Sequence, residues 1–219
     1  MWDGSLLFIS CDTVKGKDGR YRSVPDTLQL YRIDRDGQPL SLPFPVVGIY
    51  PSSVSVDQPS RCVAILDRFS LLDQGTVCVY RETSTGWTSH FVKPGKSVQF
   101  IALTPTLEVV CTGDDHTLFM VSQTGHTLWQ TPLPVGDYVS RVAIDRAGQH
   151  IIVSNPNNNK VTVYNLQGHL LYTFPITEHI KTLSAVCTDS VGRVMVADWD
   201  TKTVHLYTID GQYIQQVVK

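Results

Sequence analysis

Seven histidines (His90, His116, His126, His150, His169, His179 and His205), five cysteines and a recurring set of acids have the chemistry to bind a metal or move a proton. Zinc sites place nitrogen, sulfur or carboxylate ligands at short fixed spacings such as C-x-x-C or H-x-x-x-H. The histidines follow no such spacing, and Cys11, Cys62, Cys78, Cys111 and Cys187 contain no C-x-x-C pair. An odd number of widely scattered cysteines points to reduced thiols rather than a disulfide framework. The acids are more regular. Asp57, Asp145 and Asp189 recur at one position, and Asp67, Asp114, Asn155 and Asp198 at another. A ring of such carboxylates could hold a cation at a channel mouth, as a metal-dependent hydrolase or lyase would require. Recurrence at the same place in unit after unit favours a local role instead, in which Asp and Asn accept backbone N–H groups of turns. No catalytic residue, metal ligand or cofactor is assigned.

The other available chemistry is recognition. Cations and aromatics fall together between the apolar runs: Arg20, Tyr21 and Arg22, then Arg68, then Lys93 and Lys96, then Arg141, Lys160, Lys181, Trp199 and Lys202. Positive charge for phosphates and rings for bases are what single-stranded nucleic acid requires, and the same mixture serves a protein partner. Acids share these segments (Asp12, Asp18, Asp26, Asp73, Asp114, Asp115, Asp137, Glu178 and Asp200), which is also the composition of an ordinary solvated loop surface.

These residues need a scaffold, and internal repetition supplies it. The last unit reads SAVCTD, GRVMVAD, TVHLYTIDG, QYIQQVV; the one before reads SRVAIDRAG, QHIIVSN, KVTVYNLQG, HLLYTFP. Asp145 corresponds to Asp189, Asn155 to Asp198, Tyr164 to Tyr207 and Gly168 to Gly211, a period of about 43 residues. Looser copies precede them, giving units at residues 5–45, 53–92, 98–132, 140–175 and 183–219. Each unit holds four short runs rich in Val, Leu, Ile, Tyr and Thr, separated by Gly, Asp, Asn and Pro. Naming these strands a to d, the pattern predicts an all-β propeller of about five, possibly six, four-stranded antiparallel blades in one domain. The first unit starts at strand b and lacks its opening strand. TVHLYTI and KVTVYNL alternate, whereas VMVA and HIIV read as strands buried on both faces. Tyr31, Tyr80, Tyr164 and Tyr207 share one repeat position and are expected to pack between blades. The long b–c turns and d–a links emerge on one face, which carries the cations and aromatics.

The run GRVMVADWDTKTVHLYTIDGQYI resembles an NHL repeat: a Gly, an apolar strand ending in Ala-Asp, a polar turn, a strand ending in an aromatic, then Gly and a last strand. QHIIVSNPNNNKVTVYNLQGHLLYTF is similar, and the earlier units match through periodicity alone. The chain thus resembles the C-terminal propellers of tripartite-motif ubiquitin ligases. That resemblance implies a non-catalytic module that recognises RNA or protein, at the end of a longer protein whose ligase activity lies in an N-terminal RING.

Composition sets the remaining bounds. With 18 basic and 20 acidic side chains the net charge is −2, so no global field draws the chain to nucleic acid or anionic lipid. No apolar run is long enough to span a membrane, and Met1 to Ser10 lacks the basic start and cleavage site of a secretory signal. A cytoplasmic, monomeric domain with a protein or single-stranded RNA partner and no membrane contact is the expectation.

Overall fold

Turn residues cut this chain into strands. The computed structural model describes residues 6–10, 13–15, 21–23, 29–33, 38–41, 51–57, 59–67, 75–134, 141–145, 147, 149–176 and 178–218. Among these no helix forms. Strands β6 (Pro51–Asp57), β7 (Cys62–Asp67), β8 (Thr76–Thr83) and β9 (Gly86–Val92) make one antiparallel sheet in chain order. The next sheet holds β10 (Val98–Leu103), β11 (Val109–Gly113), β12 (Thr117–Val121) and β13 (Thr127–Pro132). β14 (Arg141–Ile144), β15 (His150–Asn155), β16 (Lys160–Asn165) and β17 (Leu170–Pro175) follow, and then β18 (Leu183–Thr188), β19 (Val194–Asp198), β20 (Thr203–Tyr207) and β21 (Tyr213–Val218). The inner strands β6, β10, β14 and β18 pack side by side in that order, which arranges the sheets as blades of a propeller.

The blade count differs from the expected five or six: the described residues form four four-stranded blades. The first unit yields only a three-stranded sheet, β1 (Leu6–Ser10), β4 (Gln29–Ile33) and β5 (Pro39–Ser41), and a separate hairpin of β2 (Thr13–Lys15) and β3 (Tyr21–Ser23). LLFIS, QLYRI and PLS pair with one another, and no fourth run among the described residues pairs with them. The long connection between β1 and β4 carries the hairpin.

Between blades, one face of each sheet packs on the opposite face of the next. Ile152, Val161 and Val163 meet Leu183, Val194, Val196 and Tyr207; one interface earlier, Val110, Leu118 and Met120 meet Ile151, Val153 and Tyr164. Each fully buried aliphatic side chain contributes roughly 1.5–3 kcal/mol. Sandwiching explains where the strand patterns depart from expectation. β16 (KVTVYN) is buried on both faces, and its polar Thr162 pairs with the Thr173 hydroxyl at 3.2 Å. β19 (VMVAD) does the reverse: Val194, Val196 and Asp198 are buried while Met195 and Ala197 are only partly covered. Tyr164 and Tyr207 are buried between blades as expected; Tyr80 is buried against residues of its own blade, and the side chain of Tyr31 lies outside the described residues.

A repeated device joins the outer strands. Trp129 Nε1 donates to the Leu166 carbonyl at 2.7 Å, and Tyr172 Oη donates to the Ile209 carbonyl at 3.2 Å, one period later. Beneath these contacts lie Gly168 (φ +78°) and Gly211 (φ +90°), where a side chain would strike Trp129 and Phe174.

Candidate recognition face

The recurring acids settle first, because they hold the turns that carry everything else. Asp145 accepts from the N–H groups of Gln149 (2.7 Å) and His150 (3.0 Å), and Asp189 from those of Val191 (3.0 Å) and Arg193 (2.9 Å). Asp57 caps its turn through Ser60. The pair Asp145 and His150 Nδ1 (2.8 Å) has the look of a catalytic dyad, but one blade later Asp189 holds the Arg193 guanidinium in the same way at 2.7 Å. It is a turn cap with a second tether. Among the described residues no three His, Cys, Asp or Glu side chains converge as metal ligands.

The eleven candidate binding residues separate sharply. Arg20 and Arg68 lie outside the described residues, as do the side chains of Tyr21 and Arg22, whose backbone belongs to β3. Lys93 is exposed at the end of β9. Lys96 turns inward: its Nζ reaches Gln130 Oε1 at 2.5 Å and Asp115 at 3.6 Å and lies 5.6 Å from the centre of the Phe119 ring. Arg141 stacks on Phe100 at 4.3 Å. Both cations are therefore engaged within the protein.

Lys160, Lys181, Trp199 and Lys202 are brought together by a clamp on residues 181–183, which link β17 to β18. From one side Asn159 Nδ2 donates to the Lys181 carbonyl (2.8 Å) while its Oδ1 accepts the Leu183 N–H (3.0 Å). From the other, the buried Asp198 accepts the N–H groups of Lys181 (2.8 Å), Thr182 (3.1 Å) and Asp200 (2.9 Å). Burial pushes the Asp198 carboxyl up, but these N–H donors and Thr201 outweigh it and bring the pKa down to about 2. Trp199 N–H donates to the Thr182 carbonyl at 2.9 Å and the Thr182 hydroxyl to Asp200 at 2.7 Å. Two b–c turns and one link are thereby fixed as a single platform.

The turn geometry repeats. His116 (φ 56°), Asn159 (φ 47°) and Lys202 (φ 58°) occupy left-handed conformations at successive intervals of about 43 residues. At Lys202 this is the end of the turn that begins at Trp199, and Nζ lies 3.8 Å above the centre of the indole. Trp199 nonetheless remains 64% exposed. A cation over one indole face leaves the other face for a ligand. Asp198 is recognisable from sequence only as a turn acid and Asn159 carries no sign of a clamp by its type alone. Each sits at a repeating position, Asp198 matching Asn155 and Asn159 matching Lys202 one period on.

Fold and face together define a β-propeller with a rigid loop platform on its last two blades. No protein-family model matches the chain and no curated protein matches it in sequence. The likeness to NHL repeats rests on the residue pattern of the last two units.

Proposed function

We propose that the chain is a non-catalytic, NHL-like recognition module whose last two blades bind a protein partner through the platform around Trp199. The observation that carries this reading is Trp199 itself, a large aromatic left 64% exposed on a turn whose backbone is tied at every step. Rigid aromatic anchors beside cations are the residues that dominate protein interfaces. Lys202 lies over its ring, Lys181 and Lys160 belong to the link and turn tied to the same platform, and all three are exposed, so an acidic segment that presents one apolar side chain is the complementary ligand. Among the described residues, Lys96 and Arg141 are engaged by neighbouring side chains, which leaves fewer of them to follow a phosphate backbone and favours protein over RNA. In the tripartite-motif reading this module selects the substrate of a ubiquitin ligase.

The test is an array of acidic, aromatic-containing peptides, probed with the wild-type protein and with Trp199→Ala. Peptides bound by the wild type are expected to lose at least about tenfold in affinity, or about 1.4 kcal/mol, at unchanged thermal stability. Lys181→Glu combined with Lys202→Glu should do the same. Undiminished peptide binding by Trp199→Ala removes the platform from the site. A labelled single-stranded RNA pool bound with steep salt dependence and lost in the lysine variants would replace the protein reading with RNA.

A further inference from the structure

One residue departs from the repeat on the face of β20 that Tyr207 buries against the preceding blade. Where β16 carries Thr162, β20 carries His205 one period later. Thr162 meets the Thr173 hydroxyl, but His205, 6% exposed, is only half partnered. Its Nε2 lies 2.8 Å from the Thr203 hydroxyl, while Nδ1 is buried with no hydrogen-bond partner among the described residues. A neutral imidazole meets this by carrying its proton on Nε2, which leaves a bare lone pair at Nδ1 rather than an orphaned N–H. A second proton has nowhere to go but Nδ1.

An aromatic stack joins this histidine to the link between β17 and β18. Tyr213 of β21 packs beside His205, 5.9 Å between ring centres, and edge-on to Tyr207 at 5.4 Å. His179, an exposed residue of the link, stacks on Tyr213 at 3.7 Å. Two residues further on begin the Lys181 and Thr182 N–H groups that donate to Asp198. The titratable groups that face His205 and Tyr207 are therefore Asp198 on β19, Glu178 and His179 on the link, and Tyr213 on β21. Tyr207 itself, pushed up to about 12 chiefly by burial, stays neutral. Asp198 is the carboxylate whose charge reaches His205, and its oxygens already accept the N–H groups that hold the link. A proton on Nδ1 gains that acceptor only at the expense of the clamp.

We propose that His205 is a proton-operated catch for the Trp199 platform: its protonation lifts His179 off Tyr213 and loosens the link that carries Lys181, so that the platform comes apart in mildly acidic solution. A buried charge with an unpaired N–H costs more than a ring stack is worth, so the proton is accommodated by opening. The sign follows from burial, which holds the His205 pKa below its ordinary value; the Asp198 charge opposes this and His179 adds to it. The closed link thus binds this proton less readily than the open one. Closure weakens as pH falls through about 6.5, the ordinary histidine value, well above the window in which Asp198 itself is protonated. Release of a bound partner rests on the platform reading, whereas the catch does not.

Amide hydrogen exchange followed by NMR tests the catch in the protein without a ligand. Exchange rates at Lys181 and Thr182, compared with the intrinsic rates at each pH, give protection factors at pH 7.5 and 5.5, with the amides of β11 as reference. An opened His205 is about ten parts protonated to one at pH 5.5, so the expected fall is about five- to tenfold at the link amides and under about twofold in β11. His205→Gln, which stays neutral, should keep the link amides within about twofold as well. Equal protection at both pH values in the wild type overturns the proposal, as does an equal fall in His205→Gln. Should that variant not fold, the His205 ring resonances of the wild type are followed over the same range, and a loss of link protection that does not track them overturns the catch. Binding of histidine-free acidic, aromatic-containing peptides is measured in parallel. Peptides that bind with unchanged affinity at pH 5.5 while link protection falls count against the platform and not against the catch.

Discussion

Gly168→Ala is expected to cost about 3 kcal/mol of folding stability, whereas Gly192→Ala should cost about 1 kcal/mol. Both glycines have positive φ, +78° and +85°, so an L side chain pays the left-handed penalty at either site. Space separates them. A Cβ on Gly192 meets nothing within 4 Å, but on Gly168 it would stand 2.6 Å from the Trp129 ring. That ring is held by its own hydrogen bond to the Leu166 carbonyl and cannot withdraw without breaking it. For a chain of this size the larger loss corresponds to a fall in Tm of roughly 6–12 °C. Urea titration of both variants checks the difference. Combining Gly168→Ala with Trp129→Ala should cost less than the sum of the two single changes, since the double variant removes the clash. Strict additivity would show that the collision is not the cause.

The same glycines explain how much of the fold could be read from the chain. Gly168 and Gly211, Asp145 and Asp189, and Tyr164 and Tyr207 recur because each blade repeats one local problem, and local problems leave their mark in the residue type. Turn acids were legible for that reason. Their role as caps follows from Asp and Asn chemistry alone, and the hydrogen bonds of Asp145 and Asp189 confirm it. The number of complete blades was not legible. Periodicity counts units, but whether a unit closes depends on a fourth strand finding an edge, and the described residues of the first unit give that sheet only three strands.

The loop platform was half visible. Lys160, Lys181, Trp199 and Lys202 were picked out by type and by loop position, and they do lie on one clamped platform. Lys96 and Arg141 had the same credentials. Only the folded arrangement sets Asp115 and Gln130 beside one and the Phe100 ring beneath the other, and these partners are 19 to 41 residues away in sequence. The partly covered face of β19 left a trace that was read in the wrong sense. VMVA looks continuously apolar and suggests burial on both faces, yet Met195 and Ala197 are only partly covered.

Asp198→Ala should destabilise the protein by about 2–4 kcal/mol at pH 7 and by much less at pH 2.5. At neutral pH the carboxylate, 3% exposed, is the acceptor for three backbone N–H groups, and alanine leaves those donors without a partner where the link and the last blade meet. Its folded pKa of about 2 lies below the ordinary aspartate value. The folded state therefore binds this proton less readily than the unfolded chain. The stability it contributes is complete above about pH 5 and disappears as pH falls through about 4 towards 2. The shift corresponds to roughly 2 kcal/mol, which is the amount by which the gap between wild type and variant should narrow across that window. Asp189 and Glu108, also held below their usual range, contribute to acid unfolding in both proteins and cancel in the difference. Urea titrations of both proteins at pH 7, 4 and 2.5 give the gap directly. A gap that stays constant with pH would mean that the N–H bonds to Asp198 do not depend on its charge. Because the same carboxylate fixes Lys181 and Thr182 beside Trp199, the variant should also lose binding at the platform by at least as much as Trp199→Ala, even at temperatures where it remains folded.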